Sequence, residues 1–149
     1  MLDHAKLLIF LAGLAFSFSA QAIEYRSIAL AKVITYDAPS KEASKLYIFG
    51  GGYPVEVIVN LGDWIKVRDN QGGLSWVEST SLSSKRTVLV LTKTDIKVAE
   101  DATSALVATV EKDVVLELLT GSANSNWAKV KHRDGATGFV QVDKLWGFN

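Results

Sequence analysis

The chain repeats itself, and this internal repeat constrains the fold more than any other feature of the sequence. Residues 64–82 align without a gap with residues 127–145 at an offset of 63, and six of the nineteen positions are identical. Upstream the offset falls to 61, which pairs Ala38 with Ala99, because the second copy has a longer loop at residues 121–125. The repeat predicts two units of about sixty residues, each only marginally stable alone. We therefore expect the two units to pack on each other.

Each unit has the sequence pattern of short antiparallel strands. Apolar and polar residues alternate with a period of two, β-branched residues are abundant, and turn-forming segments such as residues 69–73 separate the runs. Val55, Val57 and Val59 alternate in one such run, and Ile65 alternates with Trp64 in the next. Short strands at this spacing predict a small β-barrel or sandwich.

The first twenty-two residues predict a secretory signal peptide. Residues 7–20 are apolar and uncharged, and this run is shorter than the roughly twenty residues that span a bilayer. Residues 20–22 (Ala-Gln-Ala) then form a small-x-small cleavage pattern, which places cleavage before Ile23. The alternative is an uncleaved N-terminal anchor, because the charge of Lys6 is offset by Asp3.

The expected product after cleavage is an exported protein without a membrane span. No later apolar run approaches membrane length. We expect the mature chain to be periplasmic if the cell has two membranes and secreted otherwise. Signal peptide 1–22 would then be followed by domains at residues 23–84 and 85–149.

The composition excludes several classes of function. Sixteen basic and sixteen acidic residues give no net charge, which argues against nucleic acid as a partner. The absence of cysteine and the presence of only two histidines, His4 and His132, exclude thiolate chemistry and any mechanism that needs paired imidazoles in the mature chain. The glycines at residues 50–52 lack the helix and lysine of a phosphate loop. We expect neither an enzyme nor a requirement for a cofactor or metal.

Four short motifs resemble the Src-homology-3 (SH3) fold in their order and spacing. Residues 35–37 (Thr-Tyr-Asp) are similar to its L-Y-D, and residues 63–67 (Asp-Trp-Ile-Lys-Val) are similar to its D-W-W-K-V. Residues 52–57 resemble the strand between them, and residues 75–77 with Leu82 resemble its closing strand and the single helical turn before the last apolar residue. Because the units repeat, the resemblance extends twice along the chain, as in the tandem bacterial SH3-like (SH3b-type) domains of exported proteins.

This resemblance implies an all-β protein of two tandem SH3-like small β-barrels that binds a cell-envelope component. The implied partner is a cell-wall fragment, meaning peptidoglycan or its stem peptides, or an envelope protein. A proline-rich peptide is disfavoured, because Ala38 and Glu78 stand at positions where peptide-binding SH3 grooves carry aromatic or proline side chains. The alternative function is structural, with the aromatic faces buried between domains or subunits.

Aromatic and cationic side chains on the outer strand faces are the candidate ligand-binding residues. A turn centred near Asn70 would place Trp64 opposite Trp76, and the same arithmetic pairs Trp127 with Phe139. Such a pair either stabilises the sheet by about 0.2–1 kcal/mol or stacks on a sugar or peptide while a cation binds a carboxylate. The candidates are Tyr36, Trp64, Lys66, Arg68, Trp76 and Trp127.

Overall fold

The computed structural model describes residues 21–121 and 125–148, and this part of the chain is all-β. Almost all of the expected signal peptide, residues 1–20, lies outside the described residues, as do residues 122–124 of the longer loop. Export and cleavage before Ile23 therefore stay predictions. None of the helices in the described part of the chain is long and apolar enough to cross a membrane.

Fourteen strands and two short 3₁₀ helices form the described structure. The 3₁₀ helices, Ser79–Ser81 and Val142–Lys144, are single turns that each precede the last strand of a unit. The strands are β1 (Tyr25–Ile28), β2 (Lys32–Tyr36), β3 (Lys45–Gly50), β4 (Pro54–Asn60), β5 (Trp64–Arg68), β6 (Leu74–Glu78), β7 (Leu82–Ser83), β8 (Thr87–Val90), β9 (Thr94–Lys97), β10 (Leu106–Val110), β11 (Val115–Gly121), β12 (Trp127–Lys131), β13 (Thr137–Gln141) and β14 (Leu145–Trp146).

The strands form two antiparallel seven-stranded sheets with the same topology. The order is β3-β2-β6-β5-β4-β1-β7 in the first sheet and β10-β9-β13-β12-β11-β8-β14 in the second. Adding seven to each strand number of the first sheet therefore gives the second. The repeat read from the sequence is confirmed as two copies of one all-β fold.

Main-chain hydrogen bonds outside the strands repeat as well. The amide of Ser40 donates to the carbonyl of Ala38, and the amide of Asp101 donates to the carbonyl of Ala99, which is the pairing expected at an offset of 61. Later in each unit Ser79 N donates to Asp63 O. At an offset of 63, Val142 N donates to Asn126 O. The change of offset lies between these points, where the longer loop was expected.

Each sheet folds around its own apolar core, as strand alternation dictates. Ile65 and Val67 of β5 are fully buried, while their neighbours Trp64 and Lys66 face the other way and are half-buried. The first core contains Ile28, Val33, Val55, Ile65, Val67 and Val77. The second contains Val88, Val90, Ile96, Val110, Leu116, Ala128, Val130, Val140 and Leu145.

The expected alternation of three valines in β4 is wrong at its last member. Val55 is fully buried and Val57 packs against the core, but Val59 is 38% exposed. The cause is a β-bulge, because the register with β5 shifts between Val57 and Val59. The extra residue turns Val59 out of the core, which a strict period of two does not anticipate.

The two units pack on each other, as their small size predicted. Thr87 Oγ1 donates a hydrogen bond to the carbonyl of Gly52 at 2.6 Å across the seam. Tyr25 of β1 meets Trp146 of β14 edge to face, with ring centroids 5.3 Å apart. The guanidinium carbon of Arg86 lies 5.6 Å from the centre of the Tyr25 ring. The seam therefore joins the first strand of the first unit to the end of the second.

Candidate functional site

The predicted face of β5 and β6 is confirmed, but the predicted pairing across it is wrong. Trp64 is paired with Glu78, and Trp76 is paired with Lys66. The five-residue turn is closed by a hydrogen bond from Asp69 N to Gly73 O, so it centres on residue 71 rather than Asn70. Moving the centre by one residue moves every cross-strand partner by two.

The same correction applies to the second unit. Trp127 is paired with Gln141, and Phe139 is paired with Lys129, so the expected pairing of Trp127 with Phe139 is also wrong. The corresponding turn is closed by a hydrogen bond from His132 N to Ala136 O. Because both turns have the same length, both units follow the same register.

The aromatic ring that contacts Trp64 comes instead from another strand. The ring of Tyr36, at the end of β2, meets the Trp64 ring edge to face, with centroids 5.6 Å apart and planes at 85°. This geometry is favourable for two aromatic quadrupoles and holds the indole in place. The structure thus brings together two of the predicted site residues that lie far apart in sequence.

A cleft of about 500 Å³ opens beside Trp64. Its far wall is the loop that follows β2, which contributes Pro39 and Lys41. The ammonium of Lys41 lies 3.0 Å from the carboxylate of Glu78, on the strand next to the indole. The hydrogen bond and negative charge of Glu78 raise the pKa of Lys41 above its usual value, so this side chain stays cationic. The cleft therefore combines a half-buried indole face with a charged rim.

The other predicted cations lie beside this cleft rather than in it. The ammonium of Lys66 is 5.9 Å from the centre of the Trp76 ring, which is within reach of a cation–π interaction. Arg68 is exposed at the end of β5, where its guanidinium lies 3.2 Å from Glu56. Arg68 is therefore engaged across the β4–β5 ladder and does not line the Trp64 cleft.

The second unit has a cleft at the equivalent place. About 480 Å³ in volume, it is lined by Trp127 and Gln141, the counterparts of Trp64 and Glu78. Lys97 occupies the position of Tyr36, so the indole of Trp127 has a cation beside it in place of an aromatic ring. Asp95 accepts a hydrogen bond from Thr109 Oγ1 on the opposite strand. The two clefts share a position but differ in chemistry.

The predicted aromatic faces do not form the seam between the units. The Trp64 cleft is lined only by residues of the first unit, and the Trp127 cleft only by residues of the second. The aromatic residues at the seam are Tyr25 and Trp146. The sequence did not predict this pair, since neither residue has an aromatic counterpart in the repeat.

A stack of three aromatic rings in the first unit was also missed. Tyr47 and Phe49 of β3 lie nearly parallel with centroids 6.3 Å apart, and Phe49 lies 4.8 Å from Tyr53. The Tyr53 hydroxyl donates to Asn70 Oδ1 and accepts from the Asn70 amide, while burial raises the pKa of Tyr53. The alternation of Tyr47 and Phe49 in one strand was the signal that predicts this stack.

No metal site accompanies these clefts. In residues 21–121 and 125–148, no group of three or more histidine, aspartate or glutamate side chains is arranged to hold a metal ion. What the arrangement provides is recognition chemistry: a half-buried indole, a neighbouring ring, and a cation and carboxylate at the rim.

Comparison with known protein families gives a match that repeats along the chain. The model described as "Bacterial SH3 domain" matches residues 31–84 and again residues 99–147, which together are more than half of the sequence. The chain belongs to the bacterial SH3 domain family. Bacterial SH3 domains are typically cell-wall-binding modules rather than catalytic domains, and they usually occur in exported proteins.

Solved structures that are similar to this bacterial SH3 protein are larger. NlpC1 of Trichomonas vaginalis is 19% identical, with a TM-score of 0.39, over 87% of this chain and 47% of that one. NlpC2 of the same organism is 16% identical, with a TM-score of 0.40, over 86% and 49%. An NlpC/P60 family protein from Bacillus cereus ATCC 10987 is 13% identical, with a TM-score of 0.38, over 83% and 56%.

The chain spans about half the length of these solved proteins. No curated protein sequence matches it. The family match therefore identifies the kind of module, and the chemistry of its clefts has to indicate the ligand.

Proposed function

We propose that this protein is an exported, non-enzymatic tandem SH3 module that binds a cell-envelope component through the Trp64 cleft. The partner is peptidoglycan, its peptides, or an envelope protein. Residues 1–22 would direct export and be removed before Ile23, which leaves domains at residues 23–84 and 85–149. The mature protein would then work in the periplasm of a cell with two membranes and outside a cell with one.

The observation that carries this proposal is the environment of Trp64. The indole is held edge-on by Tyr36, yet it stays half-buried and lines a cleft of about 500 Å³. Ion pairing at the rim between Lys41 and Glu78 offers partners for the amide, carboxylate and ammonium groups of a peptide.

In this proposal the Trp127 cleft binds the same kind of ligand as the Trp64 cleft, but with lower affinity. Replacement of an aromatic neighbour by Lys97 removes the edge-to-face contact that holds the first indole. The remaining candidates take supporting roles in this proposal. Lys66 and Trp76 extend the outer face beside the cleft, and Arg68 fixes the neighbouring ladder through Glu56.

Substitution of Trp64 tests the proposal. Trp64→Ala should weaken sedimentation with purified cell-wall sacculi at least about tenfold, because an aromatic anchor in a cleft commonly contributes 2 kcal/mol or more. Trp127→Ala is the matched control, since it removes the same side chain from the same strand position of the second unit. It should cause the smaller loss.

Circular dichroism must show that each variant retains its fold. If the wild-type protein sediments with sacculi and folded Trp64→Ala sediments equally well, the Trp64 cleft is not the binding site. If the wild type does not sediment at all, the cell wall is not the partner.

A further inference from the structure

A third cleft, of about 670 Å³, lies between the two units and is separate from both tryptophan clefts. One wall comes from the first unit and consists mainly of residues 28–31 with Gly51 and Gly52. The other wall comes from the second unit and includes residues 131–133, with Lys85 at the junction. Clefts at domain interfaces are common places for ligands.

The wall of the second unit is cationic, and a comparison of equivalent ion pairs in the two units shows why. In the first unit Glu56 lies across from Arg68 in the ladder and pairs with it at 3.2 Å. In the second unit Glu117 lies across from Lys131 at the equivalent position, but its carboxylate is 3.2 Å from the ammonium of Lys85. Lys85 has therefore taken the carboxylate that would otherwise neutralise Lys131.

Arg133 adds a second positive charge beside Lys131. Both side chains are exposed and line the cleft. Within the part of the chain that the structure describes, neither forms an ion pair with a carboxylate. The nearby Asp134 is directed to His132, whose Nδ1 lies 2.9 Å from its Oδ1. Glu117 also lines this wall, but its carboxylate is engaged by Lys85. The wall therefore presents two cations to an incoming anion.

The opposite wall is small and apolar, and it is built from closely packed main chain. Ala29, Leu30 and Ala31 line it, and Leu30 is 55% exposed. A Cβ atom added at Gly51 would lie 3.1 Å from the carbonyl oxygen of Leu30, so the turn packs tightly there. Such a wall accommodates the backbone and small side chains of a short peptide while its acidic group reaches the cations.

Contacts across the seam hold the two walls in place. Thr87 Oγ1 donates to the carbonyl of Gly52 at 2.6 Å, and Ser27 Oγ donates to the carbonyl of Lys85 at 2.7 Å. Both hydrogen bonds join residues that line the cleft. A preformed cleft of this kind loses little entropy when a ligand binds.

We propose that the cleft between the units binds a short peptide through a carboxylate, with Lys131 and Arg133 as its partners. The site is independent of the Trp64 cleft and would give the tandem arrangement a function that neither unit has alone. Because charge carries the recognition, binding should weaken as salt is added.

The test uses the full chain and three probes in ¹⁵N–¹H nuclear magnetic resonance titrations. The probes are N-acetyl-Ala-Glu-Ala with a free C-terminus, N-acetyl-Ala-Gln-Ala-amide, and inorganic phosphate. The acidic peptide should shift the amides of Leu30, Ala31, Gly51 and residues 131–133, and its uncharged analogue should not.

Substitutions then assign the effect to the two cations. Lys131→Ala combined with Arg133→Ala should raise the Kd of the acidic peptide about tenfold or more, since two charge-assisted hydrogen bonds are lost. Lys131→Arg should restore most of the affinity lost in Lys131→Ala. Lys112→Ala is the matched control, because Lys112 is an exposed lysine of the same unit outside the cleft, and it should leave the Kd unchanged.

Three outcomes would overturn the proposal. They are an equal response to the acidic peptide and its amide analogue, a response to phosphate but not to the peptide, and an unchanged Kd in the folded double variant. Sedimentation with sacculi is scored separately with the Trp64 variants, so a failure of either site is distinguishable from a failure of the other.

Discussion

Gly52 and Asp113 occupy equivalent positions in the two units. They show that two residue types can adopt the same backbone conformation. Both have positive φ angles, 80° at Gly52 and 68° at Asp113. Both amides make the same contact with the end of a neighbouring strand, since Gly52 N donates to Ile28 O and Asp113 N donates to Val90 O. The second unit therefore tolerates at Asp113 a left-handed conformation that favours glycine.

Substitutions at this pair should have opposite effects on stability. Asp113→Gly should raise the free energy of unfolding by about 0.5–1 kcal/mol, because the left-handed conformation no longer strains a side chain. Gly52→Ala should lower it by about 1–2 kcal/mol, although its Cβ atom would make only ordinary contact with Val115 at 3.5 Å. Urea unfolding measures both changes.

Lys112→Gly provides the control for the first substitution. Lys112 is exposed beside Asp113 but does not have a positive φ angle. Glycine there should reduce stability, through greater freedom of the unfolded chain. A loss of stability in Asp113→Gly as large as that in Lys112→Gly would contradict the explanation.

At the scale of elements, the β5–β6 turn decides which side chains meet on the candidate site. Asp69 Oδ1 accepts hydrogen bonds from the amides of Gln71 and Gly73, at 2.9 and 2.8 Å. Gly72 adopts a φ angle of 86° within the same turn. These contacts fix a five-residue turn, and that turn sets the pairing of Trp64 with Glu78.

Asp69→Ala should destabilise the first unit by about 1–2 kcal/mol, because two turn amides lose their acceptor. The midpoint of thermal unfolding measures this change. His132→Ala is the matched comparison, since His132 occupies the equivalent place and its Nδ1 contacts a single turn residue, Asp134, rather than two turn amides. A loss in His132→Ala as large as that in Asp69→Ala would refute this role for the carboxylate.

The bulges show that irregular features repeat along with the regular ones. In the first unit the β4–β5 register shifts between Val57 and Val59, and in the second the β11–β12 register shifts between Leu118 and Thr120. An offset of 61 relates the two shifts. Because the bulge is present in both copies, it changes the direction of the strand end in both. It is therefore a feature of the fold and not of one loop.

At the scale of the whole molecule, the seam around Tyr25 joins the two units and gives stability a dependence on pH. Tyr25 packs against Trp146 and lies under Arg86. Burial raises the pKa of Tyr25 above its ordinary value of 10.0, and the negative charge of Glu56 raises it further, against the opposing effect of Arg86 and Arg68.

The raised pKa of Tyr25 predicts a loss of stability in alkaline solution. A folded pKa above the unfolded one means that the contribution is complete below about pH 10 and is lost as the pH rises through the folded value. Tyr25→Phe keeps the ring but cannot ionise, so the variant should lose less stability than the wild type above pH 10. Guanidinium unfolding at a series of pH values measures the difference.

Absorbance of the phenolate gives an independent reading of the same group. The wild type should show a tyrosine that titrates later than a free phenol, and Tyr25→Phe should remove part of that late signal. Parallel losses of stability in wild type and Tyr25→Phe above pH 10 would show that the seam tyrosine is not responsible.

Much of the architecture could be read from the amino-acid sequence, because the signals for it are local. A period of two in each strand placed Ile65 and Val67 in the core and Trp64 on the outer face. Repetition of those signals at offsets of 61 and 63 predicted two copies of one fold. Strand patterns of this kind need no knowledge of distant residues.

The site was predicted only in part, because its geometry depends on turns and on contacts between distant strands. The turn was predicted to centre near residue 70, but it centres on residue 71. Trp64 is therefore paired with Glu78 and not with Trp76. The contact of Trp64 with Tyr36 joins residues from β5 and β2, and no local pattern specifies it.

The sequence by itself determined two repeated β units, their core faces and the residue types available for binding. Tertiary structure alone decided the seam of Tyr25 with Trp146 and the cleft between the units. The physical reason is that alternation along a strand follows from backbone geometry residue by residue. A seam or a cleft arises only when packing brings together side chains from distant parts of the chain. The local spacing of residues does not predict such contacts.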